Sequence, residues 1–431
     1  MRSKQLALPI QERPINLPFP LPVHIALKGL AQNIRWPDLS QNLVEVACAI
    51  FLADRLIRRP RGTLGPRQID LKLPVRQPQV WNRVAPHLQE ILAILGGDTF
   101  SFDFYGSRKD TSCFPQTAGH QQRMSVDRVV LFSGGLDSAA AAATFAEEGV
   151  QAAYVTHYVT GIRRIEKLLK DIYETYDTKS PTQHAQFYIR PVGPIVRRLK
   201  ENSRRTRSFL FASLALATAI GVEAHEVCIC ENGPLAINLP LTPAMVPTRH
   251  AHSQFLRAME RLSKELFGVP IRVLNPFELA TKGEMSRVFV PHPELALETV
   301  SCWNQQWSGR GKNYGKGHCG YCLPCLVRLA SLESAGIVIP KGHFDSDVRR
   351  LARRLHLSQK ELHRLGSYKA LLSFTAKLQS CQSWREFIPR FPDVIDTEPT
   401  YRPLSLNEWF KNVFGMVKRF ADEVDQTFGK G

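Results

Sequence analysis

The pattern of apolar and polar residues divides the chain into three regions with different periodicities. Residues 127–335 alternate short apolar strands with helical segments, as expected for a parallel sheet that is covered by helices. Residues 1–126 combine alternating strands with helical stretches, and residues 336–431 are mostly helical and amphipathic. The pattern therefore predicts an α/β core with a parallel sheet and helices on both faces, an N-terminal α+β accessory domain with its linker, and a helical C-terminal region.

Individual elements can be predicted from the same pattern. Period-two alternation predicts strands in the N-terminal region at "RQIDLKLPV" and "TFSFDFY", and helical periodicity predicts helices at "DLSQNLVEVACAIFLADRLIRR" and "APHLQEILAILGGD". In the core, strands are predicted at "DRVVLF", "QAAYVTHYV", "AQFYIRPV", "HEVCIC" and "IRVLNPF", and helices at "SAAAAATFAEEG", "IRRIEKLLKDIYETY" and "RTRSFLFASLALATAIG". In the C-terminal region, "FDSDVRRLARRLH" and "NEWFKNVFGMVKRFADEVDQTF" are predicted helices.

Composition indicates a cytoplasmic protein of several domains. Of the 431 residues 44% are hydrophobic, and no apolar run approaches the 18 residues of a membrane span. The first 25 residues lack a charged start followed by an apolar segment of secretory length, so we expect a reducing cytosol. The formal net charge of +17 is spread over all three regions. A nucleic-acid partner is compatible with this charge, but no dedicated nucleic-acid surface is indicated.

Four of the nine cysteines lie close together in the sequence. One cysteine is followed, after 16 residues, by C-x2-C-x2-C, a spacing typical of a site for one tetrahedral metal ion. Four thiolates suit zinc and leave no open coordination position, so we expect a structural zinc ion; an iron–sulfur cluster is the alternative. His318 is either a substitute ligand or a solvated loop residue. The predicted zinc ligands are Cys302, Cys319, Cys322 and Cys325.

A glycine-rich loop, "SGGLDS", joins the first core strand to an alanine-rich helix. Gly134 and Gly135 let backbone N–H groups surround a phosphate, Ser133 and Ser138 add hydroxyl donors, and the following helix presents its positive end. Asp137 cannot attract a phosphate, so it indicates either a bound Mg2+ ion or an interaction within the loop. The alternative is a simple glycine turn between a strand and a helix. The combination predicts a nucleotide-binding site.

Several motifs together resemble a known family. "LFSGGLDSAAAA" is similar to the motif of the PP-loop ATP pyrophosphatases, and the cysteine followed by "CGYCLPC" is similar to the 7-cyano-7-deazaguanine synthases, the QueC family. "RTRSFLFASLALATAIG" and "NPFELATKGEM" also resemble segments of that family. The resemblance covers roughly residues 127–335. It implies that ATP is bound by Leu131, Phe132, Ser133, Gly134, Gly135, Leu136, Asp137 and Ser138.

The resemblance also implies a reaction. The family substrate, 7-carboxy-7-deazaguanine, is a small deazapurine carboxylic acid whose carboxylate attacks the α-phosphorus of ATP. Pyrophosphate leaves, and an amine then attacks the acyl adenylate. Such chemistry depends mainly on positioning and on cations that stabilise developing charge. The implied catalytic residues are Ser133, Asp137, Ser138, Arg207 and Lys282, and the implied cofactors are ATP, Mg2+ and Zn2+.

Some candidates have a plain structural alternative. Arg207 belongs to a basic stretch that can be a solvated helix start, and Glu284 either orients Lys282 or caps a helix. Asn232 and Gly233 end the fourth core strand, at the sheet edge where open α/β sheets bind ligands, so we expect them to contact a ligand. His157 ends the second strand and is expected to be a packed residue. Core packing is also the expectation for the strand cysteines, Cys228 and Cys230.

The chain is longer than the family core, by about 125 residues before it and about 95 after it. Such extended chains resemble the QueC-like proteins of bacterial anti-phage systems. We expect the added regions to bind a protein partner whose amine accepts the activated acyl group. The alternatives are an ordinary nitrile synthase that uses ammonia, a PP-loop enzyme that modifies tRNA, and a non-catalytic subunit that senses ATP.

Overall fold

The computed structural model describes residues 15–59, 66–106, 112–115, 126–159, 161–177, 182–201, 205–242, 248–303 and 318–429. The strands in these residues are β1 (Ile15–Asn16), β2 (Val23–Gly29), β3 (Gln68–Val75), β4 (Thr99–Gly106), β5 (Arg128–Leu131), β6 (Ala152–Tyr158), β7 (Gln183–Pro191), β8 (Glu226–Cys228) and β9 (Arg272–Leu274). The helices are α1 (Leu30–Asn33), α2 (Asp38–Leu56), α3 (Pro78–Gly96), α4 (Leu136–Glu147), α5 (Ile162–Tyr176), α6 (Arg207–Val222), α7 (Gly233–Ala236), α8 (Ser253–Phe267), α9 (Lys282–Ser286), α10 (Pro293–Glu298), α11 (Leu323–Ser334), α12 (Val348–Ala352), α13 (Gln359–Ser380), α14 (Trp384–Arg390) and α15 (Leu406–Phe428).

The main sheet has six strands in the order β2-β7-β6-β5-β8-β9. Neighbouring strands from β7 to β9 run parallel, whereas β2 pairs with β7 in the antiparallel direction. Side chains of β5 alternate between two cores: Val129 packs into the cluster that contains α6, and Val130 into the cluster that contains α4 and α5. Helices therefore cover both faces, which confirms the predicted α/β fold and adds one antiparallel edge strand.

The N-terminal region contributes to the same core as the main sheet. Strands β1, β3 and β4 form a separate parallel sheet, but β2 lies in the main sheet. Helices α2 and α3 pack against α6 and α8, and residues of both regions belong to one buried cluster. The domain boundary at residue 126 stays a prediction. Of the predicted linker, residues 107–111 and 116–125 lie outside the described part of the chain.

The C-terminal region is helical, as the pattern predicts. Helix α15 is the longest in the described residues and begins with a capping box between Ser405 and Glu408. The predicted helix around residue 350 is only five residues long, and the sequence analysis missed α8 in the core and α13 in this region. Helices α13 and α15 pack on α11 through a buried cluster that includes Leu326 and Trp409. None of the helices in the described residues combines the length and apolar character that crossing a membrane requires.

Candidate functional site

The loop between β5 and α4 is held in shape by its own serines. The hydroxyl oxygens of Ser133 and Ser138 lie 3.1 Å apart, and the Ser138 hydroxyl also donates to the carbonyl of Gly135 at 3.0 Å. Gly134 has a φ of +73°, and a Cβ there would lie 3.2 Å from the Ile165 side chain. The loop is therefore preformed at the N-terminus of a twelve-residue helix, as an anion site requires.

At the two ends of this loop, Phe132 and Leu136 pack into the hydrophobic core. The Phe132 and Leu136 side chains are each 2% exposed and lie in the hydrophobic cluster around α4. The backbone N–H of Phe132 donates to Val155, and its carbonyl accepts from the Thr156 hydroxyl. The structure thus gives Phe132 a packing role and leaves the exposed Ser133 and the half-buried Gly135 nearest to solvent.

Asp137 meets two side chains from other elements of the sheet edge. The amino group of Lys282, the first residue of α9, lies 2.6 Å from Oδ2 of Asp137. The side-chain amide of Asn232 donates to the same oxygen at 3.3 Å. The other oxygen, Oδ1, is buried and has no hydrogen-bond partner among the described residues. The structure thus brings together three predicted site residues, and Asp137 interacts beyond its own loop.

Glu231 and His250 extend this cluster, and the sequence analysis missed both of them. Glu231 accepts from the amide of Asn232 at 2.6 Å, and Nε2 of His250 lies 2.9 Å from its other oxygen. Glu231 directly precedes Asn232 in the segment that follows β8, and its position after a predicted strand was a usable signal. The position of His250 in a loop carried no comparable signal, because its contact with Glu231 is tertiary.

The buried charges of the cluster perturb one another. Burial and the neighbouring Glu231 raise the pKa of Asp137 to about 8, although Lys282 acts in the opposite direction. Burial alone would raise the pKa of Glu231, but His250 outweighs it and the pKa is lowered to about 2. Burial opposes the charge on Lys282, yet the two carboxylates raise its pKa. A cation held among buried acids in this way is typical of functional sites.

Arg207 lies at the start of α6, beside the end of β6. Its guanidinium stands 5.4 Å from the centre of the Phe211 ring. Together with burial, its charge lowers the pKa of His157 to about 4, and Nε2 of His157 lies 3.2 Å from the carbonyl of Ile189. The expectation that His157 is a packed residue is confirmed. The phosphate-binding role of Arg207 stays a prediction.

The start of α6 is also held by the N-terminal region. Asp54 of α2 is fully buried and accepts from the hydroxyl of Thr206 at 3.0 Å, one residue before Arg207. The guanidinium of Arg67 pairs with Asp54 from the other side. An N-terminal helix thus fixes the position of the residue next to Arg207.

The contacts of Gly233 and Glu284 are structural. The N–H of Gly233 donates to the carbonyl of Ala280 at 2.8 Å, and a Cβ would lie 2.7 Å from both Glu278 and Met416. Glu284 accepts from the backbone N–H of Thr281 at 2.8 Å and completes a capping box at the start of α9. Of the two roles predicted for Glu284, the structure therefore shows helix capping. Lys282 pairs with Asp137 and not with Glu284.

The four predicted zinc ligands form one buried cluster. Their sulfur atoms all lie within 4.8 Å of one another, with Cys319 and Cys325 3.9 Å apart and Cys302 and Cys322 4.0 Å apart. A tetrahedral zinc ion with Zn–S bonds of about 2.3 Å would separate its sulfurs by about 3.8 Å. The cluster therefore fits the predicted ion. Residues 304–317, between the first two ligands, lie outside the described part of the chain.

The other cysteine and histidine predictions have clear outcomes. His318 is only 3% exposed and stacks on His343 with ring centres 4.8 Å apart, so the prediction of a solvated histidine was wrong. Cys228 is fully buried in β8, as expected, and Cys230 packs against the same cluster just after the strand.

Arg328, to which the sequence analysis assigned no role, connects α11, the helix that carries Cys325, to the segment beside the phosphate loop. Its guanidinium is fully buried and donates to the Thr299 hydroxyl and the Ala296 carbonyl, both at 2.6 Å. Burial lowers its pKa to about 10, while the nearby Cys325 acts in the opposite direction. The next residue after Thr299, Val300, donates its N–H to the carbonyl of Gly134 at 3.1 Å. One short segment thus contacts both Arg328, in the helix that carries Cys325, and the phosphate loop.

Comparison with known proteins agrees with part of this picture. No family model matches the chain. The chain is 24% identical over 245 residues to the 7-cyano-7-deazaguanine synthase of Marinomonas sp. (strain MWYL1), a match that covers 98% of that protein and 50% of this chain. Half of the chain is therefore similar to this synthase, which supports a QueC-like relationship.

Proposed function

We propose that the protein uses ATP to adenylate the carboxylate of 7-carboxy-7-deazaguanine, or of a close analogue, and releases pyrophosphate. The observation that carries the proposal is the 2.6 Å pair between Asp137, at the phosphate loop, and Lys282, after the last strand. This pair puts a buried cation beside the loop, where negative charge develops as pyrophosphate leaves. The similarity to a 7-cyano-7-deazaguanine synthase supports the choice of substrate.

In this proposal each part of the site has one task. The hydroxyls of Ser133 and Ser138, the backbone of Gly134 and Gly135, and the start of α4 hold the phosphates. Lys282 and Arg207 stabilise charge on the leaving pyrophosphate. The substrate carboxylate forms a bond to the α-phosphorus as the bond to the β-phosphate oxygen breaks, and an amine later displaces AMP and loses a proton.

Two metal ions belong to the proposal. Mg2+ would be held through Oδ1 of Asp137, a buried carboxylate oxygen without a partner among the described residues, and it would neutralise phosphate charge. Zinc would be held by the four clustered cysteines, and with every position filled by sulfur its role is structural.

The second step of the reaction is proposed to use a protein amine. Half of the chain lies outside the match to the synthase, and the added helices are well ordered elements with large buried faces. We therefore propose an extended enzyme of the anti-phage QatC type, whose added regions bind a partner that supplies the amine. The alternative is ammonia, which would lead through the amide to the nitrile.

Thiolation of tRNA is a weaker candidate function. It would require a reactive thiol close to the phosphate loop, where the nearby cysteines are Cys228 and Cys230. Burial raises the pKa of Cys228 to about 12 and that of Cys230 well above its usual value. Because the thiolate is the reactive form, both thiols are poor nucleophiles at neutral pH.

Pyrophosphate release tests the first step. The full-length protein is incubated with ATP and Mg2+, and either 7-carboxy-7-deazaguanine, tRNA or no acceptor is added. We expect release only with the deazaguanine acid, and its loss in Lys282→Ala. Stimulation by tRNA, or equal release in all three mixtures, would contradict the proposed substrate.

Mass spectrometry tests the second step. Proteins that co-purify with the enzyme, or are encoded beside it, are incubated with enzyme, ATP and the deazaguanine acid. An amide-linked mass increase on one of them is expected, and the Asp137→Asn enzyme serves as the control. A free nitrile, with no protein gaining mass, would refute the protein acceptor and leave the ammonia-dependent synthase.

A further inference from the structure

Helix α15 (Leu406–Phe428) lies against both turns that carry the candidate site. Met416, Arg419 and Glu423 follow one another at spacings of three and four residues, so they lie on one face of the helix. The Met416 side chain packs on Gly233, where a Cβ would lie 2.7 Å from its terminal methyl group. Arg419 and Glu423 contact the segment from residue 279 to residue 284.

Glu423 is the buried member of this face. Glu423 is 6% exposed, and its Oε1 accepts a hydrogen bond from the hydroxyl of Thr281. Burial raises the pKa of Glu423 to about 7, whereas Thr281 and the backbone N–H of Gly283 favour its ionised form. A Cβ at Gly283 would lie 2.4 Å from Oε1, so only glycine lets the carboxylate approach so closely.

Arg419 holds the same segment from its outer side. Its Nε donates to Oε1 of Glu284 at 2.6 Å, and the guanidinium also donates to the carbonyl of Leu279 at 3.0 Å. The Arg419 side chain is 48% exposed, so this ion pair contributes little to the stability of the fold. Its two contacts nevertheless fix both ends of the segment that contains Lys282.

Lys282 lies between these contacts. Thr281 and Gly283 on either side of it face Glu423, while its own amino group reaches Asp137. A long lysine side chain loses conformational entropy when it is held at one partner. If the backbone that carries it is already fixed, part of that entropy is lost on folding and not during the reaction. The C-terminal helix α15 thus contacts the backbone on both sides of the candidate catalytic lysine.

We propose that Arg419 and Glu423 are positioning residues that hold Lys282 against Asp137, so that the C-terminal region is part of the catalytic apparatus. The inference rests on the proposed function only for the role of Lys282 in pyrophosphate release. The geometric part, that α15 restrains Lys282, can be tested without any substrate.

The experiment compares Glu423→Ala and Arg419→Ala with Asp422→Asn, an exposed position on the same helix. Two quantities are measured in the full chain: the rate at which an amine-reactive reagent labels Lys282, followed by peptide mass spectrometry, and kcat for pyrophosphate release with the deazaguanine acid. We expect Lys282 labelling to rise about tenfold and kcat to fall about ten- to a hundredfold in both alanine variants, with KM for ATP nearly unchanged. Asp422→Asn should match the wild type.

A second pair of variants guards against simple misfolding. Gly283→Ala should impair kcat because the new Cβ collides with Glu423, and adding Glu423→Ala should relieve the collision, so the double variant should be no worse than Glu423→Ala alone. Folded Arg419→Ala and Glu423→Ala variants with wild-type labelling and kcat would overturn the inference. If the wild type releases no pyrophosphate, the proposed function fails, while the labelling result still decides whether α15 restrains Lys282.

Discussion

The amino group of Lys282 lies 2.6 Å from Oδ2 of Asp137, although 145 positions of the chain separate the two residues. Asp137 lies in the first turn of the helix that follows β5, the first parallel strand of the main sheet, and Lys282 begins the short helix after β9, the last one. Both strands point their carboxyl ends to the same sheet edge, where open α/β sheets bind ligands. The pair therefore locates the candidate site at that edge.

Substitutions in the phosphate loop should stop the reaction without unfolding the protein. In the proposed function, Ser133→Ala and Asp137→Asn remove groups that act on the bound nucleotide, so we expect pyrophosphate release to fall at least about a hundredfold. Circular dichroism of both variants, and the melting temperature of Ser133→Ala, should stay close to those of the wild type. Asp171→Asn, on the outer face of α5, is the matched control, and full turnover in either loop variant would place the active site elsewhere.

Zinc should be present at one ion per chain and should stabilise the segment that carries the four cysteines. Cys319→Ser removes one of four thiolates, so we expect lost zinc and a lower melting temperature, because metal binding is coupled to folding. Elemental analysis and thermal unfolding measure the two effects. Cys113→Ser should retain zinc; iron in the purified protein, or an active protein without metal, would contradict the assignment.

Stability should depend on pH through Asp137. Its pKa in the folded protein is raised to about 8, so the folded state retains a proton that the unfolded state has lost. The stabilising contribution is complete below pH 4 and is lost as the pH rises toward 8, with a slope of up to about 1.4 kcal/mol per pH unit. Urea unfolding from pH 5 to pH 9 should show a steeper decline for the wild type than for Asp137→Asn. Parallel curves would show that Asp137 is already ionised at pH 5.

Arg328→Met should destabilise the protein by about 2–4 kcal/mol. The substitution removes the guanidinium donor to the buried Thr299 hydroxyl and one of the donors to the Ala296 carbonyl, which still accepts from the Thr299 hydroxyl, and it loosens the segment that contacts Gly134. Chemical denaturation measures the loss. Lys341→Met, at an exposed position, is the control. An Arg328→Met protein as stable as the wild type would show that these acceptors find other donors.

Local patterns in the sequence were sufficient to predict the elements whose defining residues are close together in the chain. The strand, "SGGLDS" and the alanine helix are contiguous, and the structure places them as expected. Three of the four clustered cysteines fall within seven residues, so their spacing alone indicates the metal site. Helix α8 was also predictable, because "SQFLRAMERLSKELF" has a clear helical periodicity.

Contacts between distant segments were decided by tertiary structure. The sequence by itself determined the phosphate loop, the cysteine set and the alternation of strands and helices, because each depends on residues that are neighbours in the chain. Only the packed fold brought Lys282 to Asp137, His250 to Glu231, and Glu423 to the turn beside Lys282. It also placed β2 in the main sheet, because an edge strand pairs through backbone groups that every sequence shares.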